Sequence, residues 1–403
     1  MKDHFTLEQK VGQLFVLGFQ GYELDRETRM LIETIQPGGF LLFQRNIENF
    51  DQIYNLTSRL RDMAGTPGLL AIDHEGGRVD RLKQLFAPIP SMAELAEAGT
   101  ASLRLGARII AAELEATGFN VDFAPVVDIR LPHSIITDRC LASSPLEVAR
   151  LAAAFIEELS KRGVVTCAKH FPGLGGAVSD PHFSLPRIER TKRQIQYEDV
   201  IPFVRLFDQI GMIMICHAHY PSLGDDKPTP ASLSSRVIGG LLRKKLGYKG
   251  IAITDDLTMG AVTSLGLTTD IFLRAIEAGN DLLLFSQTTP LVERAFHAIV
   301  KAARSSAALR GRVEEAVGRI LTLKTRLEFV PPRYRTHMRA RVNRQIDKLR
   351  KSVEPARTLV TSMLLKCPRV RSPLLVRGPA VGLYAFELGG TRCGYSCSRS
   401  ESR

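Results

Sequence analysis

The chain has 403 residues, of which 44% are hydrophobic and 24% are charged, as is ordinary for a globular protein. Of its 54 Lys+Arg and 42 Asp+Glu, 16 and 4 lie in residues 331–403, which leaves 38 of each in the first 330 residues. A neutral body argues against an extended phosphate-binding face, so nucleic acid is not an expected partner.

The N-terminal segment predicts neither a signal peptide nor a membrane anchor. Its apolar run at residues 14–19 is interrupted by Gly18 and is too short for a signal-peptide core. No run in the chain approaches the roughly 18 apolar residues that a membrane span needs. The six scattered cysteines suit a reducing compartment. We therefore expect a cytoplasmic protein without a membrane partner.

Eight short apolar runs in the first 285 residues predict the buried strands of a parallel sheet. They cover residues 15–19, 38–43, 68–73, 121–129, 164–171, 212–218, 250–257 and 281–285. Amphipathic helical segments alternate with them, at 23–36, 144–163 and 234–247, and two more follow at 290–306 and 311–327. Strand alternating with helix eight times predicts an α/β fold of the (β/α)8 TIM-barrel type, assigned to residues 1–330.

Ionisable side chains stand at or near the ends of five of these runs: Asp73, Asp128, Lys169, His170, His217, Asp255 and Asp256. In a barrel the carboxyl ends of all strands open onto one face, where catalytic groups gather. A single strand-end aspartate more often caps the next helix, and that alternative stays open for Asp128 and Asp256. Five such ends on one rim favour an active site.

The loop after the fifth run, AVSDPHFSLP at 177–186, is too rich in proline to be a helix. Its Asp180 and His182 have two interpretations. They form an ordinary Asx turn beside a surface histidine, or the carboxylate orients and charges the imidazole for proton transfer.

Several kinds of site are disfavoured by the sequence. It has no phosphate-binding loop, no dinucleotide fingerprint and no nucleophile elbow of a serine hydrolase. His217 and His219 would share one side of a strand only if the strand continued, and Pro221 suggests that it ends, so a metal is not expected. A strand-end carboxylate, Asp255, with an Asp–His pair on a nearby loop suits glycosyl transfer to water.

At these residues the sequence resembles glycoside hydrolase family 3, specifically its β-N-acetylhexosaminidase branch, over roughly residues 7–327. The segments AIDHEGGRVDRL (71–82), KHFPGLGGAVSDPHFSLP (169–186) and ITDDLTMGA (253–261) carry the resemblance. It implies that Asp255 is the nucleophile and His182 the acid/base, with Asp180 as its partner. It further implies that five residues hold the hydroxyl groups of the terminal sugar: Asp73, Arg81, Arg139, Lys169 and His170.

The resemblance implies a retaining exo-β-N-acetylglucosaminidase that acts on cell-wall saccharides or muropeptides during peptidoglycan recycling. It also implies that no metal and no cofactor are needed. Separately from the resemblance, we expect a monomer. Three alternatives remain: another family 3 exo-β-glycosidase, a glycoside phosphorylase, or a sugar-binding barrel without activity. The Asp-x-His pair favours the hexosaminidase, since other branches usually supply a glutamate from a second domain.

Two features depart from the family pattern. Leu174 stands where the signature commonly has histidine, and we expect altered loop packing or substrate contacts without loss of catalysis. Residues 331–403 form a basic C-terminal extension. Within it, 342–365 predicts one or two helices that pack on the barrel, and the last fifteen residues are predicted to be unstructured.

Overall fold

The computed structural model describes residues 5–64, 67–266, 268–327 and 336–365. The chain divides into two compact units, Met1–Val353 and Glu354–Arg403. In the second unit the described part is helical as far as Leu365. The last fifteen residues, for which the sequence predicts no structure, lie outside the described residues.

Eight parallel strands close into a barrel in which each strand pairs with its neighbours in chain order and the last pairs with the first. They are β1 (Phe15–Leu17), β2 (Gly39–Leu42), β3 (Leu69–Ile72), β4 (Val121–Asp122), β5 (Val165–Phe171), β6 (Met212–Ile215), β7 (Ile251–Asp256) and β8 (Leu282–Phe285). The short strands β1, β2, β3, β6 and β8 are buried throughout, because one face turns into the barrel and the other is covered by helices. The structure confirms the predicted (β/α)8 barrel.

The described residues form thirteen α-helices. They are α1 (Leu7–Gly12), α2 (Arg26–Ile35), α3 (Phe50–Met63), α4 (Met92–Glu97), α5 (Thr100–Thr117), α6 (Pro145–Ser160), α7 (Lys192–Gln194), α8 (Ile201–Leu206), α9 (Gly260–Thr263), α10 (Thr269–Ala278), α11 (Pro290–Ser305), α12 (Ala307–Lys324) and α13 (Thr336–Leu365). The segment predicted as an α-helix at 234–247 is instead wound as a π-helix over Arg236–Lys245. No helix among the described residues is long and apolar enough to cross a membrane.

Strand β4 is much shorter than its apolar run, 121–129. Pro125 has no N–H to donate, so regular pairing stops, but the carbonyls of Ala124 and Pro125 still accept bonds from the Cys167 and Lys169 amides at 3.1 and 3.2 Å. The Val127 amide then donates to the Lys169 carbonyl at 2.8 Å. This irregular pairing carries the chain beyond β4 alongside the end of β5.

The helix α13 is a single element from Thr336 onward, and its first part packs on the barrel unit. Val342, Ile346, Leu349 and Val353 are buried, a spacing that places them along one side of the helix. Within the first unit the chain thus continues past the helices that close the barrel. A domain boundary at residue 330 stays a prediction.

Candidate active site

The carboxyl ends of the strands open into a cleft of about 420 Å³. All eight residues predicted as catalytic or sugar-binding line it: Asp73, Arg81, Arg139, Lys169, His170, Asp180, His182 and Asp255. Five carboxylates and five Lys or Arg side chains are among the described residues of its wall. The cleft is therefore densely charged, and its permanent charges balance.

Asp255 lies at the end of β7 with its carboxylate in the cleft, and its Oδ1 accepts the Asp256 amide at 2.8 Å. Burial raises the pKa of Asp255, but His217, His170, the Asp256 amide and Lys169 together lower it more, so its pKa lies below the ordinary value. The carboxylate is consequently ionised at neutral pH, as a nucleophile must be.

His217 does not line the cleft but lies buried beneath it. Its Nε2 donates to the Asp256 carbonyl at 2.9 Å, and its Nδ1 accepts from the Ser232 hydroxyl at 2.7 Å. Burial lowers the pKa of His217, which keeps the imidazole neutral near pH 7. With His217 neutral, His170, the Asp256 amide and Lys169 remain to hold Asp255 ionised at that pH.

Lys169 on β5 joins two carboxylates of the segment after β3. Its Nζ lies 2.7 Å from Asp73 Oδ1 and 2.6 Å from Glu75 Oε1. Arg139 binds Glu75 through two parallel hydrogen bonds of 2.9 and 2.8 Å. Burial raises the pKa of Glu75, but Arg139 and Lys169 lower it far more, so the group stays ionised. This network fixes the side chains predicted to hold sugar hydroxyls.

Glu75 was missed by the sequence analysis, although a signal for it existed. It lies two residues after Asp73, a spacing that returns a side chain to the same side of an extended segment. Its buried carboxylate is the common partner of Arg139 and Lys169.

Asp128 holds His170 and is not a helix cap. Its Oδ2 accepts from His170 Nδ1 at 2.7 Å and from the His170 amide at 3.2 Å, and its Oδ1 accepts the Leu174 amide at 2.6 Å. A carboxylate can only accept, so Nδ1 of His170 carries a proton. The other ring nitrogen, Nε2, lies 3.4 Å from an Arg139 nitrogen in the cleft.

Asp256 holds the turn that follows β7 through hydrogen bonds to its carboxylate. Its Oδ1 accepts the Thr258 amide at 3.0 Å and the Ser286 amide at 3.1 Å, and both of its oxygens accept from the Thr258 hydroxyl. These bonds hold the turn that follows β7, but Asp256 does not cap the next helix, because the N-cap residue of α9 is Met259.

Asp180 and His182 form the Asx turn of the first interpretation, and their side chains make the contact that the second interpretation requires. The Asp180 Oδ1 accepts the His182 amide at 2.9 Å, which is an Asx turn, and lies 2.7 Å from His182 Nδ1. Burial raises the pKa of Asp180, but the hydrogen bonds from His182 outweigh it and the pKa is lowered. The His182 side chain is 69% exposed, so proton exchange with solvent is open to it.

The loop that carries His182 is docked on the segment after the predicted nucleophile. The amides of Gly260 and Ala261 donate to the carbonyls of His182 and Pro181 at 3.0 and 3.1 Å. A Cβ at Gly260 would lie 2.6 Å from the His182 oxygen, so only glycine permits this approach. The backbone contact couples the predicted acid/base to the β7 end.

Arg81 and Arg45 stand on one wall of the cleft near the ring of Phe43. Arg45 lies 4.1 Å from the ring centroid and Arg81 5.8 Å. The buried Nε of Arg81 has no hydrogen-bond partner among the described residues. Arg81 also lines the cleft, and a guanidinium there suits the hydroxyl groups of a bound ligand.

Among the described residues no group of three or more His, Cys, Asp or Glu side chains could hold a metal ion. His219, which has the spacing of a metal ligand relative to His217, accepts the Thr229 amide at its Nδ1 at 3.2 Å.

Comparisons with known proteins agree with this geometry. Residues 6–323 match the model of the glycosyl hydrolase family 3 N terminal domain. The chain is 35% identical over 274 residues to a beta-hexosaminidase from Idiomarina loihiensis. The aligned region covers 67% of this chain and 82% of the relative. A family 3 beta-N-acetylglucosaminidase structure from Paenibacillus sp. has a TM-score of 0.78 at 32% identity, covering 87% of this chain and 69% of that chain. The structure of NagZ from Neisseria gonorrhoeae in complex with N-trifluoroacetyl-D-glucosamine has a TM-score of 0.65 at 27% identity. The match covers 77% of this chain and 98% of the NagZ chain.

The family match spans all eight strands and every cleft residue predicted from the sequence. It takes in the three motif segments on which the resemblance was based. The chain therefore belongs to glycosyl hydrolase family 3 and is a glycoside hydrolase.

Proposed function

We propose that the protein is a retaining exo-β-N-acetylglucosaminidase that removes terminal N-acetylglucosamine from cell-wall fragments. The observation that carries the proposal is the joint presence, in one cleft, of an ionised strand-end carboxylate, Asp255, and an exposed Asp180–His182 pair. The relatives named beta-hexosaminidase and beta-N-acetylglucosaminidase support the choice of sugar.

In the first step Asp255 attacks the anomeric carbon, and a bond forms from its carboxylate oxygen to C1. The bond from C1 to the glycosidic oxygen breaks, and His182 Nε2 gives its proton to the leaving oxygen. Asp180, at 2.7 Å from Nδ1, holds the ring in the orientation that presents Nε2.

In the second step His182 Nε2 takes a proton from water as the water oxygen attacks C1. The bond to Asp255 breaks and the carboxylate is restored. Because both displacements invert C1, the configuration is retained overall. These steps use side chains alone.

The terminal sugar is proposed to lie between the Asp73–Lys169 pair and the side chains of Arg81, Arg139 and His170. Charged donors and acceptors that are already fixed in place suit a ring of hydroxyl groups, since they pay little ordering cost on binding. The Neisseria gonorrhoeae complex with an N-acylated glucosamine supports this class of ligand.

The wider setting is proposed from the resemblance. We place the enzyme in the cytoplasm as a monomer that acts on saccharides or muropeptides released from peptidoglycan.

The first test measures chromophore release from an aryl N-acetyl-β-glucosaminide and from the matching aryl β-glucoside. We expect the N-acetyl substrate to be preferred. Asp255→Ala should abolish turnover, His182→Ala should slow it by about 10²–10⁴-fold, and exposed His297→Ala should change nothing. Preference for the glucoside would overturn the specificity, and an unaffected Asp255→Ala would overturn the mechanism.

A second test looks for the covalent intermediate. With a dinitrophenyl N-acetyl-β-glucosaminide, whose leaving group needs no proton, His182→Ala should still form the glycosyl-enzyme but hydrolyse it slowly. Intact-mass spectrometry should then show a gain of one N-acetylglucosaminyl group, absent in Asp255→Ala. The same assay with inorganic phosphate added tests the phosphorylase alternative, which requires a sugar phosphate as product.

A further inference from the structure

The first part of α13 contacts the segment between β3 and α4 through specific polar bonds. The Ala87 amide donates to Asn343 Oδ1 at 3.0 Å. The Pro88 carbonyl accepts from Arg350 Nε at 3.1 Å and from a terminal nitrogen of the same guanidinium at 2.8 Å. Below these bonds the buried stripe of α13 packs on the barrel, with Leu349 close to Gly106 of α5. The helix is thus fixed to the barrel and also holds residues 87–88.

Residues 87–88 lead directly into a compact part of the loop. The Gly77 amide donates to the Ile89 carbonyl at 2.9 Å, and a Cβ at Gly76 would lie 2.5 Å from the Pro90 oxygen. The carboxylate of Asp80 accepts the amides of Leu82 and Ile89 at 3.2 and 3.0 Å. With so little free space, a shift of residues 87–89 is passed to the segment 75–81.

That segment carries the ligand-facing groups of one wall. Glu75 is bound by Arg139 and Lys169, and Arg81 lines the cleft. A continuous set of contacts therefore runs from Asn343 and Arg350 to the proposed sugar-binding groups.

We infer that the first part of α13, residues 339–353, is a positioning element for the substrate-binding loop 75–91, and that the C-terminal extension is in this part a component of the catalytic unit. The inference rests on the proposed sugar-binding role of Arg81. It assigns no chemistry to the helix, which acts by restricting the loop.

The test uses full-length point variants. Asn343→Leu removes the acceptor for the Ala87 amide, and Arg350→Ala removes the two donors to Pro88. Asn343→Asp keeps an acceptor oxygen and should restore wild-type behaviour. Arg344→Ala, which removes an exposed arginine on the same helix, is the matched control. For each protein we would measure KM and kcat with the aryl N-acetyl-β-glucosaminide, and hydrogen exchange of residues 76–91.

We expect Asn343→Leu combined with Arg350→Ala to raise KM by about 3- to 10-fold with little change in kcat, as such couplings reach. Amide exchange should quicken across 76–91 in the double variant and stay unchanged in Asn343→Asp and Arg344→Ala.

Unchanged KM and exchange in a double variant that melts at a lower temperature would overturn the inference, because the helix would then only add stability. Faster exchange with unchanged KM would also overturn it, since the loop would not govern binding. Failure of the proposed function is recognised separately, because wild-type protein would then show no turnover while the exchange data still report on the loop.

Discussion

The carboxylate of Asp128 accepts two hydrogen bonds from His170, one from its backbone amide at 3.2 Å and one from its ring Nδ1 at 2.7 Å. Both residues are buried, and Asp128 is fully inaccessible. These two hydrogen bonds place the proton on Nδ1 of His170 and orient the ring so that Nε2 faces the cleft.

Asp128→Asn should therefore weaken catalysis without unfolding the protein. The amide keeps an acceptor for the Leu174 backbone but loses the charge that holds the His170 ring, a bond worth about 1.5–3 kcal/mol. We expect kcat/KM to fall by about 10- to 100-fold. A double-mutant cycle with His170→Ala checks the cause, because additive losses would show that Asp128 acts elsewhere.

Gly260→Ala should impair the predicted acid/base through the backbone. The new methyl would lie 2.6 Å from the His182 carbonyl, so the loop must move away. Displacing a reacting group by about 1 Å costs roughly 10²-fold, and we expect kcat to fall by about 10- to 100-fold. Gly311→Ala in α12 is the control, since nothing lies within 4 Å of its Cβ position. Full kcat in Gly260→Ala would mean that docking of the loop is dispensable.

Stability should fall as pH rises because of a buried cluster behind the β3 segment. Burial raises the pKa of Asp122 to about 8 and that of Glu113 to about 7. Both carboxyls are thus protonated in the folded state at pH values where the unfolded chain has lost the protons. The stabilising contribution of these two carboxyls to folding is complete below their unfolded-state pKa values of about 4. It is lost as pH rises through their folded-state pKa values of about 7 and about 8.

Asp122→Asn should reduce this loss of stability with rising pH. The asparagine still offers an acceptor oxygen to the His74 amide, which lies 3.0 Å from Asp122 Oδ1 in the wild-type protein. We expect the difference in unfolding free energy between pH 5 and pH 9 to shrink by on the order of 1–3 kcal/mol. Denaturant titrations at the two pH values measure it, with exposed Asp208→Asn as the control. An equally steep decline in both variants would place the titration elsewhere.

Leu174→His should alter substrate affinity more than turnover. Leu174 lines the cleft with a buried side chain, and its amide bond to Asp128 does not depend on the side chain. We expect kcat to change by less than about 3-fold, because Leu174 is not itself one of the proposed proton-transfer groups. Steady-state kinetics of both proteins test this. A nearly inactive wild type that Leu174→His activates would contradict it.

The sequence was most informative where a single rule governs many residues. Apolar runs located all eight strands, because a parallel sheet covered on both faces demands them. The strand-end rule then brought Asp73, Lys169 and Asp255 to one rim, and the structure places them in one cleft.

The remainder depended on contacts between distant parts of the chain. Glu75 is explained by Arg139, 64 residues away, and Asp128 by His170, 42 residues away. Hydrophobic periodicity and secondary-structure propensity do not show which distant side chains will contact each other. The docking of α13 on residues 87–88 was likewise beyond reach, since it depends on partners in space. The early end of β4 could have been predicted from Pro125, which lies inside the apolar run.

The balance of permanent charge in the cleft has a kinetic consequence. Its five carboxylates and five Lys or Arg side chains are equal in number, and Asp73, Glu75, Arg139 and Lys169 are joined in direct ion pairs. Such a site projects little net field into solvent, so it neither attracts nor repels an arriving molecule by charge. Association with a charged cell-wall fragment should accordingly depend little on ionic strength. Selection among glycans would then arise after contact, through the fit of individual hydroxyl groups, and not during the approach.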